Sequence, residues 1–505
     1  MPVVNRLHLR LRVIRSFCLI LILAGFGVVQ LFGSEPKGSK TRTSESETEE
    51  AESSSQEQKD KQTAAALHPP FNNLRYREDW SSLRELPTRS GYDALKFIPL
   101  NSSESMYLSI GGQLRLRAES WWNFGFGDKS DVFGLSRVRL HADLHLGSRF
   151  RMFVEGKSSL STGRDLPGGI RSLDVDSIDF QNAFIDINLA LNPATIIFRP
   201  GRQELQFGGQ RLVSPLDWAN TRRTFDGVRG IVKKGGWRFD GFWSQSVAVR
   251  KYSMNCGSAS GKELYGIYGT GNLPSSGSTL DLYWLGYLNE RAQFGDIGGR
   301  ESRQTIGARS KGGLGDSGAD YELEAAYQFG DLDAASISAF MFTGQLGYTF
   351  ASTKSKPRLY TNLDFATGDD DPADNSVQTF NQLFPLGHAY LGYIDFVGRQ
   401  NVIDWSGGLA LSPAPKWKST AAAHYFWREN ANDAIYNPGG SIVRAGDAGS
   451  SKAIGLEIDL TLGYAFNRFV NLSGGYSHFF PGSFIKESGS SNAIDFLYFV
   501  FQVTF

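Results

Sequence analysis

The amino-acid sequence predicts an all-β protein, a transmembrane antiparallel β-barrel of about 18 strands. Three observations favour this fold class. Polar and apolar residues alternate over segments of ten or more residues, a length that matches a tilted membrane crossing and exceeds the usual strand of a soluble sheet. The 505 residues include 57 glycines and only five methionines, and 13% of them are aromatic, which favours strands and turns over helices. The last ten residues, FLYFVFQVTF, are strongly apolar and need a core or a bilayer to cover them.

Whole-molecule charge indicates no nucleic-acid partner, because 52 basic side chains balance 52 acidic ones. The two cysteines, Cys18 and Cys256, provide neither a disulfide framework nor a metal-type cysteine pair. We therefore expect no metal and no cofactor.

The first 104 residues are predicted to precede the barrel in three parts. Residues 1–33 have the pattern of a signal peptide, since four arginines precede the apolar run Phe17–Leu31; a retained N-terminal anchor is the alternative. Residues 34–66 are rich in Ser, Thr, Gln, Glu and Lys and are expected to form a disordered polar tail. Residues 67–104 are interpreted as a lead-in or plug segment, and residues 105–505 as the barrel.

The first three candidate strands carry the clearest alternation. In GGQLRLRAES the charged residues Arg115, Arg117 and Glu119 share one strand face, and leucine and alanine share the other. SRVRLHADLHL and RFRMFVEGKSSL repeat the pattern, which places Arg137 and Arg139 on a polar face. A soluble sandwich would show the same period, so strand length is what favours a membrane barrel.

Fifteen further segments bring the predicted strands to eighteen. They are residues 178–188, 194–202, 225–232, 237–246, 263–268, 279–288, 304–310, 321–329, 335–350, 359–367, 402–411, 419–427, 453–464, 469–478 and 492–505. Some connections are tight polar turns (GSR, KGG, FNR), and others are long and glycine-rich. Short turns on one side and long loops on the other are typical of outer-membrane barrels.

The final segment is predicted to close the barrel against the first strand. A closed barrel has no free edge, so its last strand must be a full membrane strand with an apolar lipid face. Alternate residues form that face: Leu497, Phe499, Phe501, Val503 and Phe505. A terminal aromatic residue after alternating hydrophobic residues resembles the signal by which the outer-membrane assembly machinery recognises its substrates. A buried terminal strand of a soluble domain is the alternative.

Three blocks of sequence resemble the bacterial alginate export family. They are PGRQELQFGGQRLVSPLDWANTRRTFDGVR (200–229), LFPLGHAYLGYIDFVGRQN (383–401) and AHYFWREN (423–430). The resemblance extends over nearly all of residues 105–505 and implies an eighteen-stranded pore with a positively charged lumen through which an anionic polyuronate passes. The chain departs from a full ring of pore arginines around residues 387–395, where His388, Tyr390, Leu391 and Tyr393 stand.

Charged residues predicted to face the lumen are the candidate substrate path. Arginine binds a carboxylate through a planar pair of donors and stays charged, which suits a polymer with one carboxylate per sugar. The candidates are Arg115, Arg117, Arg137, Arg139, Arg202, Glu204, Arg211, Arg222, Arg223, Asp226 and Arg229. The alternative for each residue is a salt bridge that braces the wall of a polar lumen.

Catalysis and metal binding have weak sequence support. No Gly-x-Ser-x-Gly motif is present, and the seven histidines are scattered, so we expect no catalytic site and no enzyme. The acidic run GDDDPADN (368–375) lacks the glycine and closing glutamate of an EF-hand loop and is expected to be a solvated loop.

Together these features predict a monomeric outer-membrane pore for export of an anionic polysaccharide such as alginate. A channel for uptake of small anions or oligouronates and a structural or adhesive barrel without transport are the alternatives. The expected partners are outer-membrane lipid, the anionic polysaccharide and the assembly machinery.

Overall fold

The computed structural model describes residues 67–89, 91–255, 257, 260–273, 276–295, 297–371 and 374–505. The chain divides into two compact units, residues 1–90 and 91–505. The predicted signal peptide (1–33), the predicted tail (34–66) and both cysteines lie outside the described residues. The described part of the first unit contains two short 3-10 helices, Arg75–Arg77 and Ser81–Glu85. Its side chains include a buried ion pair between Arg75 Nε and Glu78 Oε1 at 2.7 Å.

The second unit is a closed barrel of eighteen antiparallel strands, which confirms the predicted fold class. The first nine strands are β1 Met106–Trp122, β2 Asp131–Leu146, β3 Phe150–Thr162, β4 Asp176–Leu191, β5 Ala194–Gln203, β6 Phe225–Lys234, β7 Trp237–Ser246, β8 Lys262–Leu273 and β9 Ser278–Phe294. The second nine are β10 Ile297–Gly313, β11 Ala319–Leu332, β12 Ala335–Thr349, β13 Arg358–Ala366, β14 Val402–Leu411, β15 Trp417–Trp427, β16 Ala453–Ala465, β17 Val470–Pro481 and β18 Ile494–Thr504. Each strand pairs with its neighbours in sequence, and β18 pairs with β1 from Gln113↔Thr504 to Trp122↔Asp495.

Each predicted strand overlaps one observed strand, but several observed strands are longer. Strand β10 covers residues 297–313, whereas alternation alone indicated 304–310. The polar stretch before residue 304 stays in the sheet because strand β9 pairs with it, across a bulge between Asn289 and Ala292. Pairing with a neighbour therefore extends strands beyond the point where the amphipathic pattern ends.

Short elements accompany the barrel strands. Helix α1 (Tyr92–Lys96) precedes the two-residue strand Ile98–Pro99, which pairs with β1. Helix α2 (Ser483–Glu487) lies between β17 and β18. Short strands occur at Ser376–Val377, Ile435–Tyr436 and Ile442–Arg444, and 3-10 turns at Phe124–Phe126 and Gly387–Ala389. Within the described ranges, no helix has the length and apolar character needed to cross a membrane.

The two ends of the barrel differ in the length of their connections. At the end where β1 begins, strands are joined by turns such as 147–149, 192–193 and 235–236. At the other end most connections are longer, and the three longest are the β13–β14 loop (367–401), the β15–β16 loop (428–452) and the β5–β6 loop (204–224). At this end only the β9–β10 connection (295–296) and the β11–β12 connection (333–334) are short. This asymmetry agrees with the prediction from the sequence.

The strands alternate between an exposed apolar outer face and a buried polar inner face. On β2 the outward Val138 and Leu140 are exposed, whereas the inward Arg137 and Arg139 are fully buried. On β18 the outer face holds Leu497 and Phe499, which are exposed. Phe501 and Val503 have the same parity but are buried, since apolar residues of β1 and β17 flank them directly.

Loops fold into the barrel and build an apolar core inside it. Buried residues of the β5–β6 loop (Leu205, Phe207) and of the β13–β14 loop (Phe384) share one cluster with inward aromatic residues of the wall, such as Tyr268 and Tyr287. Phe207, for example, stacks on Tyr268 with ring centroids 4.7 Å apart. The interior is therefore partly filled by protein, and these loops narrow the space that remains accessible.

Candidate pore constriction

The β5–β6 loop crosses the interior of the barrel. On one side of the lumen, the backbone oxygen of Asp217 accepts a hydrogen bond of 2.6 Å from Arg115 Nη1 on β1. On the other side, Arg211 Nη1 bonds Glu324 Oε2 on β11 at 3.1 Å. In an eighteen-stranded ring, β1 and β11 lie on opposite sides. The loop thus ties two facing walls together and forms a crossbar in the lumen.

The β13–β14 loop completes the constriction by pairing with this crossbar. Phe384 N–H donates to Leu212 O at 2.9 Å, and Ser214 N–H donates to Phe384 O at 2.9 Å. Arg399 anchors the same loop to the wall through two bonds to Asp364 on β13, at 2.7 and 2.8 Å. The two loops are consequently one hydrogen-bonded unit.

Five of the predicted arginines come together on one side of this unit, and we call them the arginine cluster: Arg115, Arg117, Arg137, Arg139 and Arg222. Strands β1 and β2 supply four of them, in register, since Arg115 pairs with Arg137 and Gln113 with Arg139. The β5–β6 loop supplies Arg222. Strand periodicity turns all four strand residues inward because they lie two residues apart.

Carboxylates neutralise most of the charge of this cluster, and backbone oxygens accept further hydrogen bonds from it. Arg137 Nη2 lies 2.7 Å from Asp217 Oδ1, and Arg117 Nη2 lies 2.7 Å from Glu119 Oε1. Among the described residues, Arg115 bonds backbone oxygens alone, including that of Ala219 at 2.8 Å.

The predicted residue Glu204 is completely buried in the cluster. It accepts hydrogen bonds from Arg222 Nε and Gln181 Nε2, and Arg139 Nη2 lies 3.6 Å away. Arg139 bonds Glu155 Oε2 at 2.9 Å. The five arginines therefore face four carboxylates (Glu119, Glu155, Glu204 and Asp217), which leaves a local excess of one positive charge.

The remaining predicted residues lie elsewhere in the lumen. Arg202 bonds Asp226 at 2.7 Å and Asp179 at 3.0 Å, and Arg229 bonds Asp240 at 2.8 Å. Arg223 donates to Ser214 O at 3.0 Å and lies over the ring of Phe384. In the described part of the chain, Arg223 has no carboxylate partner. The structure therefore divides the eleven candidates into three groups: the arginine cluster with Glu204, the ion-paired residues Arg202, Asp226, Arg211 and Arg229, and Arg223.

A second, acidic stretch of wall was not predicted from the sequence. Strands β13 to β16 turn Asp364, Asp404, Glu457 and Asp459 inward, together with His424, whose Nδ1 lies 3.1 Å from Asp404 Oδ2. Each residue follows the strand alternation, but alternation does not indicate that the acidic side chains of these strands lie at one level of the wall. The missed residue of most interest is Asp217, which sits in a loop without any periodic signal.

Burial and neighbouring charges set the protonation of the constriction loops. Burial alone would raise the pKa of Asp217, but Arg222, Arg137 and Arg115 outweigh it and hold this pKa well below its usual range. Burial lowers the pKa of His388 to about 3, so this imidazole is neutral at physiological pH. Its ring lies 4.1 Å from that of Trp218, which also packs against Arg117. Burial raises the pKa of Asp395 to about 8.

Comparison with known proteins identifies the family of this barrel. The family model described as alginate export matches residues 106–499, which is most of the chain. The chain belongs to the alginate export family. No curated protein matches it. The match covers both constriction loops and all of the predicted lumen residues.

Solved structures of similar fold are outer-membrane proteins of Pseudomonas aeruginosa. The outer membrane protein opdK is 12% identical with a TM-score of 0.53, and the match covers 79% of this chain and 98% of that one. OccK8 (OprE) is 12% identical with a TM-score of 0.52 over the same shares. OccK3 (OpdO) is 12% identical with a TM-score of 0.51, covering 78% of this chain and 95% of that one. At these identities the likeness concerns the fold. Family and fold together place the protein in the Gram-negative outer membrane as a channel-type β-barrel.

Proposed function

We propose that this barrel exports an anionic polysaccharide, with alginate as the first candidate, and that the arginine cluster contacts the carboxylates of the passing polymer. The observation that carries the proposal is the position of the cluster beside the crossbar formed by the β5–β6 loop. A chain that passes the constriction on that side meets guanidinium groups on β1, β2 and the loop.

The charge balance of the cluster favours passage over tight binding. A conducting pore must attract its substrate and also release it, so each site has to bind weakly enough for exit. Four carboxylates offset most of the charge of the five arginines and limit the affinity of any one position. The excess positive charge still favours anions over cations.

A channel for uptake of small anions, such as oligouronates, is the second candidate. The filled interior favours it, because the crossbar and the apolar cluster narrow the route available to a polymer. A barrel without transport remains the alternative if the reconstituted protein carries no current.

Planar-bilayer recordings on the purified full-length protein test the proposal. We expect anion-selective conductance that soluble alginate reduces from one side, with an effect that weakens at 1 M salt, where the Debye length is ~3 Å. A neutral polymer of similar size serves as the control. Cation preference, or equal reduction by both polymers, contradicts the proposal. Passage of oligouronates without any effect of long alginate supports the second candidate.

A further inference from the structure

Asp217 occupies the arginine cluster in the manner of a bound carboxylate. Its Oδ1 atom lies 2.7 Å from Arg137 Nη2 and also accepts a hydrogen bond from Arg222 Nη1. The backbone oxygens of Asp217 and Ala219 accept bonds from Arg115 at 2.6 and 2.8 Å. One short piece of the crossbar thus offers a carboxylate and two neutral oxygens to three arginines. A uronate residue offers the same set of acceptors, a carboxylate beside hydroxyl and ring oxygens.

Exposure separates Asp217 from the other carboxylates of the cluster. Its side chain is 37% exposed, whereas Glu155 and Glu204 are completely buried. A ligand that approaches from the lumen therefore reaches Asp217 first, while Glu155 and Glu204 brace the arginines from behind. The partly exposed contact is also the one that water screens most, so its exchange for another carboxylate has the lowest cost.

The arginines retain unused capacity at this position. Among the described residues, Arg115 pairs with no carboxylate, and the Nε atoms of Arg115 and Arg137 have no acceptor. Both side chains are more than nine-tenths buried. Buried donors without acceptors are costly, and a ligand with several oxygens would satisfy them.

We propose that Arg115, Arg137 and Arg222 form a carboxylate-binding subsite of the pore, that Asp217 occupies it in the resting protein, and that a uronate carboxylate of the substrate displaces Asp217. This inference rests on the proposed function. Asp217 is ionised at neutral pH because its pKa is held low, so it competes with the substrate as a true carboxylate. Displacement exchanges one carboxylate for another and leaves the charge balance of the cluster unchanged.

The test compares Asp217→Asn with a matched control, Asp320→Asn. Asp320 is also 37% exposed and bonds one arginine, Arg358, but it lies on β11, away from the cluster. Both variants lose one negative charge. In bilayer recordings we expect Asp217→Asn to lower the alginate concentration that halves the current by about threefold, the size expected when one partly exposed ion pair no longer competes. Asp320→Asn should change that concentration by less, and Asp217→Glu should keep the wild-type value.

Further measurements distinguish a failure of the proposed subsite from a failure of the proposed function. For alginate with esterified carboxylates, Asp217→Asn should not change the concentration that halves the current, since this polymer carries no competing charge. An unchanged or higher half-blocking concentration in Asp217→Asn, or an equal gain in Asp320→Asn, overturns the subsite and leaves export untouched. If alginate fails to block the wild-type pore, the proposed function fails. The subsite is then judged by acetate permeability, which must rise more in Asp217→Asn than in Asp320→Asn. Asp217→Gln replaces the asparagine variant if the latter does not insert.

Discussion

At the residue scale, the lumen arginines are structural and functional candidates at once. Arg222 is completely buried and joins Glu204 to Asp217. The sequence analysis leaves two roles open for Arg222, contact with the substrate and a salt bridge that braces the wall. The two roles are not exclusive. An arginine that is braced from behind by one carboxylate can still present donors to the lumen.

Removal of Arg222 should destabilise the barrel strongly. Arg222→Ala leaves Glu204 and Asp217 without this partner, and breaking one side of a buried pair costs about 3–5 kcal/mol. Arg300→Ala is the control, because the Arg300–Glu290 pair is 65% and 59% exposed and such pairs contribute ~0–1 kcal/mol. Urea unfolding in detergent, followed by tryptophan fluorescence, measures both. Equal midpoints for the two variants would show that the buried network does not stabilise the fold.

Asp395 should make ion selectivity depend on pH. Burial raises its pKa to about 8, with further repulsion from Glu119 and Asp459 that Arg171 and Arg117 partly offset. Its ionisation adds a negative charge to the β13–β14 loop, so we expect anion preference to fall between about pH 7 and 9. His388, with a pKa of about 3, does not titrate there, and the raised pKa of Tyr393 keeps that phenol neutral.

The ionisation of Asp395 should also lower the stability of the fold as the pH rises. Because the folded pKa of Asp395 is above its unfolded value, its contribution is fully present below about pH 4 and is lost as the pH rises through about 8. Asp395→Asn should remove both the selectivity change and this loss of stability. Reversal potentials and unfolding midpoints across the pH range measure them, and a selectivity change that persists in Asp395→Asn would assign it to another group.

At the scale of elements, the barrel closes where Gly112 of β1 pairs with Phe505 at the end of β18. Gly112 N–H donates to Phe505 O at 2.8 Å, and Phe505 N–H donates to Gly112 O at 3.0 Å. A Cβ atom at Gly112 would lie 2.7 Å from Arg139 O and 2.8 Å from the Phe505 ring. The close approach of the β2 backbone and of the Phe505 ring to β1 therefore favours glycine at this position.

Gly112→Ala should lower the yield of folded barrel in the outer membrane. The matched control is Gly156→Ala on β3, where a Cβ atom would meet nothing within 4 Å. Semi-native electrophoresis of membrane fractions reports the folded fraction of each variant. Equal yields would mean that β2 and the Phe505 ring can shift to accept a methyl group at position 112 without loss of folding.

At the scale of the whole molecule, the continuous ladder of eighteen strands should make the protein heat-modifiable. Every strand has two neighbours, so no edge is open to detergent or to a second chain. We expect the unheated protein to migrate faster than the heated one in dodecyl sulfate gels and to behave as a monomer in light scattering. Identical migration, or a defined oligomer, would contradict this expectation.

The strand pattern by itself determined the fold class, the eighteen strands and the inward direction of Arg115, Arg117, Arg137 and Arg139, because side-chain alternation is a local property of extended backbone. The resemblance of three sequence blocks indicated the family. Only the tertiary structure decided where the β5–β6 loop crosses the lumen and that Asp217 lies among the arginines. Contacts such as Arg137 with Asp217 and Arg211 with Glu324 join residues 80 and 113 positions apart. No periodicity encodes such contacts, since they arise from loop packing inside a closed barrel.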